Sequence, residues 1–224
     1  MSDPPSVEMS IERVEVGRET GGYLPVRVVT SRGVVECRHY PAPASRLGAV
    51  FVGGAGGGWD TPARGRLYPD LCESLPAGGI HALRVRYRQA NALAECALDV
   101  LAGLHYLEGE GVTAAALTGH SFGGAVVVQT GAASRTVRTV VALSTQTYGI
   151  DPIGTLGPRC SVLLAHGTRD RILPARCSLQ AHAMAREPKR LKLLEGADHG
   201  LDEAAHEVTA LVRDWIGGEL TKAQ

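Results

Sequence analysis

A chain of 224 residues is long enough to bury roughly 70% of its unfolded surface in one domain, and its 44% hydrophobic content is that of an ordinary globular protein. The 23 basic and 23 acidic residues cancel, which excludes the strongly charged surface expected when nucleic acid or an anionic membrane is the main partner. The five cysteines (Cys37, Cys72, Cys96, Cys160, Cys177) are odd in number, scattered and without CxxC spacing, so they suggest neither a disulfide framework nor a zinc site and read as reduced thiols.

Residues 1–10, with Pro4 and Pro5, read as a loose tail, and residues 11–220 as a single domain. The start MSDPPSVEMS lacks the basic, apolar and small-residue progression of a secretory signal, and no apolar run approaches the roughly 20 residues of a membrane span. A soluble cytoplasmic protein is expected. IERVEVGR and LPVRVVTSRGVVECRHYPAP alternate apolar and polar residues around Ser31-Arg32-Gly33, the pattern of half-buried antiparallel strands joined by a tight turn. LGAVFVGGAGGGWD (47–60) is a short apolar strand running into a glycine-rich loop, Arg64 to Leu75 suits a helix, and GIHALRVRY (79–87) is the next strand.

Residues 91–108 place Leu93, Ala97, Val100, Leu101, Leu104 and Leu107 on one helical face, with Asn91 as N-cap. Beyond residues 114–133 come a strand at 139–146, a broken connection, the strand SVLLAHG (161–167), a helix after Pro174, a last strand opening RLKLLEGADHG (190–200), and a closing helix from Asp202 to Leu220 with Leu211, Val212, Trp215 and Ile216 inward. Strands alternating with helices predict a three-layer α/β/α sandwich: a mainly parallel twisted sheet with antiparallel N-terminal strands and its active groups at the carboxyl ends of the strands. Residues 147–160 hold three glycines and two prolines and are too short and broken for a helical cap, so no cap domain is expected.

The stretch AAALTGHSFGGAVVVQTGAA (114–133) reads as strand, sharp turn, helix. Its turn, Gly119-His120-Ser121-Phe122-Gly123, is a GxSxG pattern, in which a strained bend projects the serine and small flanking residues let the neighbouring backbone pass. The Phe122 N–H and the positive end of the helix then face the same spot as the Ser121 hydroxyl, which suits a developing oxyanion. A serine hydroxyl becomes a nucleophile when a histidine removes its proton and a carboxylate orients that histidine. Of eight histidines, His199 in EGADHGL follows the last strand and is the candidate base; Asp170 in HGTRDRILP follows the strand before and is the candidate acid, with Asp151 as rival. His120 is expected to point away from the base position, and His166 to support the acid loop.

The loop VGGAGGGWD lacks the lysine and hydroxyl of GxxxxGK[ST] and the spacing of GxGxxG, so it reads as an oxyanion loop with Ala55 or Gly54 as the second backbone donor. Trp59 could line a substrate pocket, although an aromatic there is as often core. Arg84, Arg86 and Arg88 alternate along one strand, with Arg64 and Arg66 near in sequence; they could hold an anionic substrate group, but paired or solvated arginines are the favoured reading, and Arg88 is the candidate if one binds substrate.

GHSFGG, HGTRDRILP and GADHG, in that order and after these strands, resemble the α/β-hydrolase superfamily over residues 25–217, and the lidless layout is similar to dienelactone-hydrolase-like proteins and small esterases. LRVRYRQ (83–89) resembles the family's strand ending in an arginine turn. The resemblance implies Ser121 as nucleophile, Asp170 as acid, His199 as base, and backbone donors at Phe122 and in the 53–58 loop. Two positions depart from the pattern. Gly53-Gly54 stands where the family usually has His-Gly, and Ser121 stands where dienelactone hydrolases proper use cysteine. The expected activity is a serine hydrolase acting on a small-molecule ester or thioester through an acyl-enzyme, with no cofactor, no metal, no nucleic acid or membrane partner, and a homodimer left open. A thioesterase or acyltransferase, a cofactor-free perhydrolase or haloperoxidase, and a non-catalytic binding protein are the alternatives on the same fold.

Overall fold

The computed structural model describes residues 8–223, so residues 1–7 of the expected tail lie outside it. Two of the three tail residues that are described dock onto the domain: Met9 packs against the core, and Ser10 and Ser31 exchange hydrogen bonds. Among the described residues nine strands form one sheet in the order β1-β2-β3-β5-β4-β6-β7-β8-β9. β1 (Ile11–Val16), β2 (Leu24–Thr30) and β3 (Gly33–Tyr40) are the antiparallel N-terminal strands, and β3 also pairs antiparallel with β5 (Ile80–Arg86). From β5 onward the pairings are parallel, through β4 (Leu47–Val52), β6 (Ala114–His120), β7 (Val137–Leu143), β8 (Ser161–Gly167) and β9 (Lys189–Leu194).

Helices cover both faces. α2 (Leu93–Gly109), α3 (Phe122–Ala133) and α4 (Arg176–Met184) pack on one, α1 (Leu67–Ser74) and α5 (Ala205–Thr221) on the other. The two-residue period of a strand explains how one segment serves both layers. In β6, Ala115 and Leu117 face α2 and α3, while Ala114 and Ala116 face α1 and α5. Being covered on both sides, this central strand has no polar alternation to show, in contrast to β1 at the edge.

Several boundaries differ from the sequence expectation, each for a local reason. The first helix begins at Leu67 because Ala63, Arg64 and Gly65 have φ of 55°, 59° and 72°, which no helix accommodates. Asn91 is left-handed (φ 65°), so Ala92 occupies the N-cap of α2 and no side-chain cap forms. The buried face of α2 is Cys96, Asp99, Val100, Gly103, Leu104 and Leu107, with Leu93, Ala97 and Leu101 only partly covered. β7 stops at Leu143 because Ser144 turns left-handed at φ 43°. The closing helix starts as a short 3₁₀ turn at Asp202–Ala204 and becomes α-helical at Ala205, with Val212 and Ile216 buried and Leu211 and Trp215 half-buried.

Between β7 and β8 the chain forms only a 3₁₀ turn at Asp151–Thr155, and among the described residues no cap domain covers the carboxyl end of the sheet. Among the described residues no helix is long and apolar enough to cross a membrane.

Candidate active site

The bend after β6 is enforced by glycines. A Cβ on Gly119 would lie 2.1 Å from the Gly123 carbonyl oxygen, and one on Gly123 would lie 2.3 Å from that of Gly53, so both crossings require bare backbone. Ser121 takes φ 57° and ψ −120°, a conformation that costs a non-glycine residue on the order of 1–3 kcal/mol. Its own N–H donates to Leu143 O at 2.8 Å, and its carbonyl accepts from Gly124 N at 3.0 Å, which pins the turn between β7 and the head of α3.

Asp170 and His199 reach this point from the loops after β8 and β9. His199 Nε2 is 3.0 Å from Ser121 Oγ, and His199 Nδ1 is 2.7 Å from Asp170 Oδ2. An ionised carboxylate only accepts hydrogen bonds, so Nδ1 carries the imidazole proton and Nε2 is left to accept the serine proton. The side chain of Asp170 is fully covered and held on both oxygens: Oδ1 accepts the N–H groups of Ile172 and Leu173, both at 2.8 Å, and Oδ2 faces His199 and His166. Burial alone would raise its pKa. The hydrogen bonds from His199 and from the Leu173 and Ile172 N–H groups outweigh that cost and hold it below the ordinary carboxylate value.

His166 Nε2–H points at both Leu173 O (2.9 Å) and Asp170 Oδ2 (3.1 Å), while Nδ1 accepts from the Ser178 hydroxyl at 2.7 Å. Burial is the main reason its pKa is lowered, and as a neutral donor it braces the acid loop. Asp198 joins the two loops. Its Oδ1 accepts the N–H groups of Arg171 (3.0 Å) and His199 (2.8 Å), and its Oδ2 takes the Arg171 guanidinium. These contacts lower its pKa to about 2. His120 does not turn away as the sequence suggested: its Nε2–H donates to the His199 carbonyl at 2.8 Å and its ring lies 4.8 Å from the His199 ring. The elbow places the side chain after Gly119 against the histidine loop, and burial there lowers its pKa to about 4.

Gly54 lies against the elbow, since a Cβ on it would stand 3.5 Å from Ser121 Cβ, whereas Ala55 is exposed. Among the described residues the loop and cap hydrogen bonds leave the N–H groups of Phe122, Gly54 and Ala55 without a partner. A shallow depression of about 540 Å³ opens beside His199, lined by Arg171, Ile172, Asp198, Gly200 and Asp202. Asp151 is exposed and is not among the hydrogen-bond partners of His199.

The remaining candidates are engaged elsewhere. Trp59 is stacked under Arg38, 4.2 Å from guanidinium carbon to ring centroid, with Arg84 at 5.6 Å and bonded to its carbonyl. The antiparallel register sets Arg38 opposite Arg84, and the electron-rich indole of Trp59 attracts both guanidinium groups, which offsets part of their mutual repulsion. Arg86 pairs with Glu36 at 2.7 Å; Arg64 and Arg66 bond Asp202 and Asp70. Arg88 lies beyond β5, nearly buried, and pairs with the fully buried Asp99 and with Glu95 at 3.0 Å. Its charge is thus spent inside the protein. The signal for this pair was Asp99 itself, a carboxylate on the apolar face of α2.

No family model matches the chain, and no curated protein does. Among solved structures it is similar to Est1E from Butyrivibrio proteoclasticus, with a TM-score of 0.73 and 18% identity over 88% of this chain and 99% of that one. It is also similar to a dienelactone hydrolase from Anabaena variabilis, with a TM-score of 0.75 and 16% identity over 88% of this chain and 97% of that one. The chain has the α/β-hydrolase fold. A third solved structure, the esterase domain of a Rhodothermus marinus protein, gives a TM-score of 0.70 and 18% identity over 92% and 98% of the two chains.

Proposed function

We propose that this protein is a serine hydrolase that cleaves a carboxylic ester or thioester through an acyl-enzyme on Ser121. The observation that carries the reading is His199 standing between Asp170 at 2.7 Å and Ser121 at 3.0 Å, in a chain of hydrogen bonds whose direction suits proton removal from the serine. The names of the similar structures, an esterase domain and a dienelactone hydrolase among them, support the same class of chemistry.

In this reading Ser121 Oγ attacks the substrate carbonyl as its proton passes to His199 Nε2, and Asp170 stabilises the resulting imidazolium. The carbonyl oxygen becomes an oxyanion, received by the Phe122 N–H and by that of Gly54 or Ala55. Collapse expels the alcohol or thiol, which takes the proton from His199. Water, deprotonated by the same histidine, then releases the acid and restores Ser121.

The uncapped carboxyl end of the sheet supports soluble, short-chain substrates. The test is hydrolysis of p-nitrophenyl acetate, butyrate and a long-chain homologue, with Ser121→Ala as control. Ordinary saturation with the short esters, and no activity in the variant, is expected. A rate that rises only where substrate forms droplets would sink the open-site reading.

A further inference from the structure

Tyr87 follows β5, is 6% exposed, and donates its hydroxyl to the Gly53 carbonyl at 3.2 Å. Its ring meets that of Phe122 edge-on, with centroids 6.2 Å apart and planes at 89°. One side chain therefore touches both segments that carry the proposed oxyanion donors, the glycine loop through Gly53 and the head of α3 through Phe122. We propose that Tyr87 is a positioning residue for the oxyanion hole, holding the Gly53–Gly54 peptide in register with the Phe122 N–H. The proposal rests on the serine-hydrolase reading of Ser121.

A peptide group is planar and trans, so fixing the direction of the Gly53 carbonyl also fixes the direction of the Gly54 N–H and the course of the chain into Ala55. The loop GGAGGG is intrinsically soft, and a donor that must meet charge developing at one point gains from being held there beforehand. The Gly53 oxygen is confined on a second side by Gly123, where only an α-carbon without a side chain leaves room for it.

Tyr87 is itself firmly seated. The Arg88 N–H and guanidinium are both bonded to Asp99, and Gln89 O accepts from Cys96 Sγ at 3.1 Å. Ala90 then touches the far end of the loop, where a Cβ on Gly57 would lie 2.9 Å from that of Ala90. The segment after β5 is thus a rigid back wall for the glycine loop. Burial keeps the phenol protonated and hence a donor.

The experiment compares wild type with Tyr87→Phe, which removes one hydroxyl and keeps the ring on Phe122. Two quantities are read: p-nitrophenyl acetate kinetics, and inhibition by a trifluoromethyl ketone, whose hemiketal with a serine places an oxyanion in the hole. The expected result is a fall in kcat of about 10–100-fold, less than the roughly 10²–10³-fold cost of removing an oxyanion donor outright, with KM within two-fold. The ketone should bind more weakly by a similar factor, and the acid limb of kcat/KM against pH should keep its midpoint, because His199 and Asp170 are untouched. An active wild type with an unimpaired variant overturns the proposal alone, as does a variant whose KM rises while ketone affinity stays unchanged. A wild type that neither hydrolyses the ester nor binds the ketone removes the serine-hydrolase reading, and this proposal with it.

Discussion

His166 Nε2 lies 3.1 Å from the same Asp170 Oδ2 that faces His199. The carboxylate therefore serves two imidazoles at once, and two backbone N–H groups hold its other oxygen. A group fixed on this many sides can orient His199 without moving itself. Replacing Asp170 by Asn keeps the shape but loses the acceptor that selects the His199 tautomer, and kcat is expected to fall by about 10⁴. Asp151→Asn should stay near wild type. Comparable losses in the two variants, measured with the same short ester, would move the acid role away from Asp170.

Gly119→Ala tests the elbow. Its Cβ would be 2.1 Å from the Gly123 carbonyl oxygen, a contact that only a shift of α3 against β6 could relieve. Destabilisation beyond about 3 kcal/mol is expected, since such overpacking meets backbone and not a flexible side chain. Urea denaturation measures it. A variant as stable as wild type would contradict the close crossing of strand and helix.

Arg88 is expected to matter for stability and not for substrate. Arg88→Met leaves the fully buried Asp99 charged and unpaired, a change that costs about 3–5 kcal/mol, whereas Arg88→Met with Asp99→Leu removes both charges and should recover most of it. The readout is the denaturation midpoint of the two variants. If the single variant keeps its stability and instead raises KM for an anionic ester, Arg88 belongs to the substrate site.

What the sequence made legible and what it concealed differ by range. The elbow could be read because glycines at 119 and 123 answer a demand that arises within five residues, and Asp170 and His199 because each stands a few residues past the end of a strand. The layers of the sheet followed from the alternation of strand and helix segments along the chain. The partners of Trp59 and Arg88 could not be read in this way, since Arg38 and Asp99 meet them only through strand register and the rotation of α2. The same holds for His120, whose direction depends on where the loop after β9 passes.

Acid should destabilise the fold before it protonates the carboxylates. His39 is buried between Tyr106 and His81, and burial, followed by the neighbouring His81, lowers its pKa to about 4; burial also takes His120 to about 4. For each, the folded state binds its proton later than the unfolded state, whose histidines titrate near 6.5. The unfolded chain thus holds more protons between pH 6.5 and 4, and stability falls across that window as pH drops, by on the order of a few kcal/mol for these two groups together. The melting temperature followed from pH 7 to 4 should decline, and less steeply in His39→Gln. A flat profile would mean that these imidazoles are solvated.

The most direct measurement is mass spectrometry of the protein after reaction with a fluorophosphonate, whose phosphorus is attacked by an activated serine with loss of fluoride. Ser121 is half-buried, hydrogen-bonded to His199 and placed at the head of α3, so a single adduct on the peptide containing Ser121 is expected, absent in Ser121→Ala and strongly slowed in His199→Ala. An unlabelled protein, or label on another residue with Ser121 unmodified, would contradict the assignment of Ser121 as nucleophile.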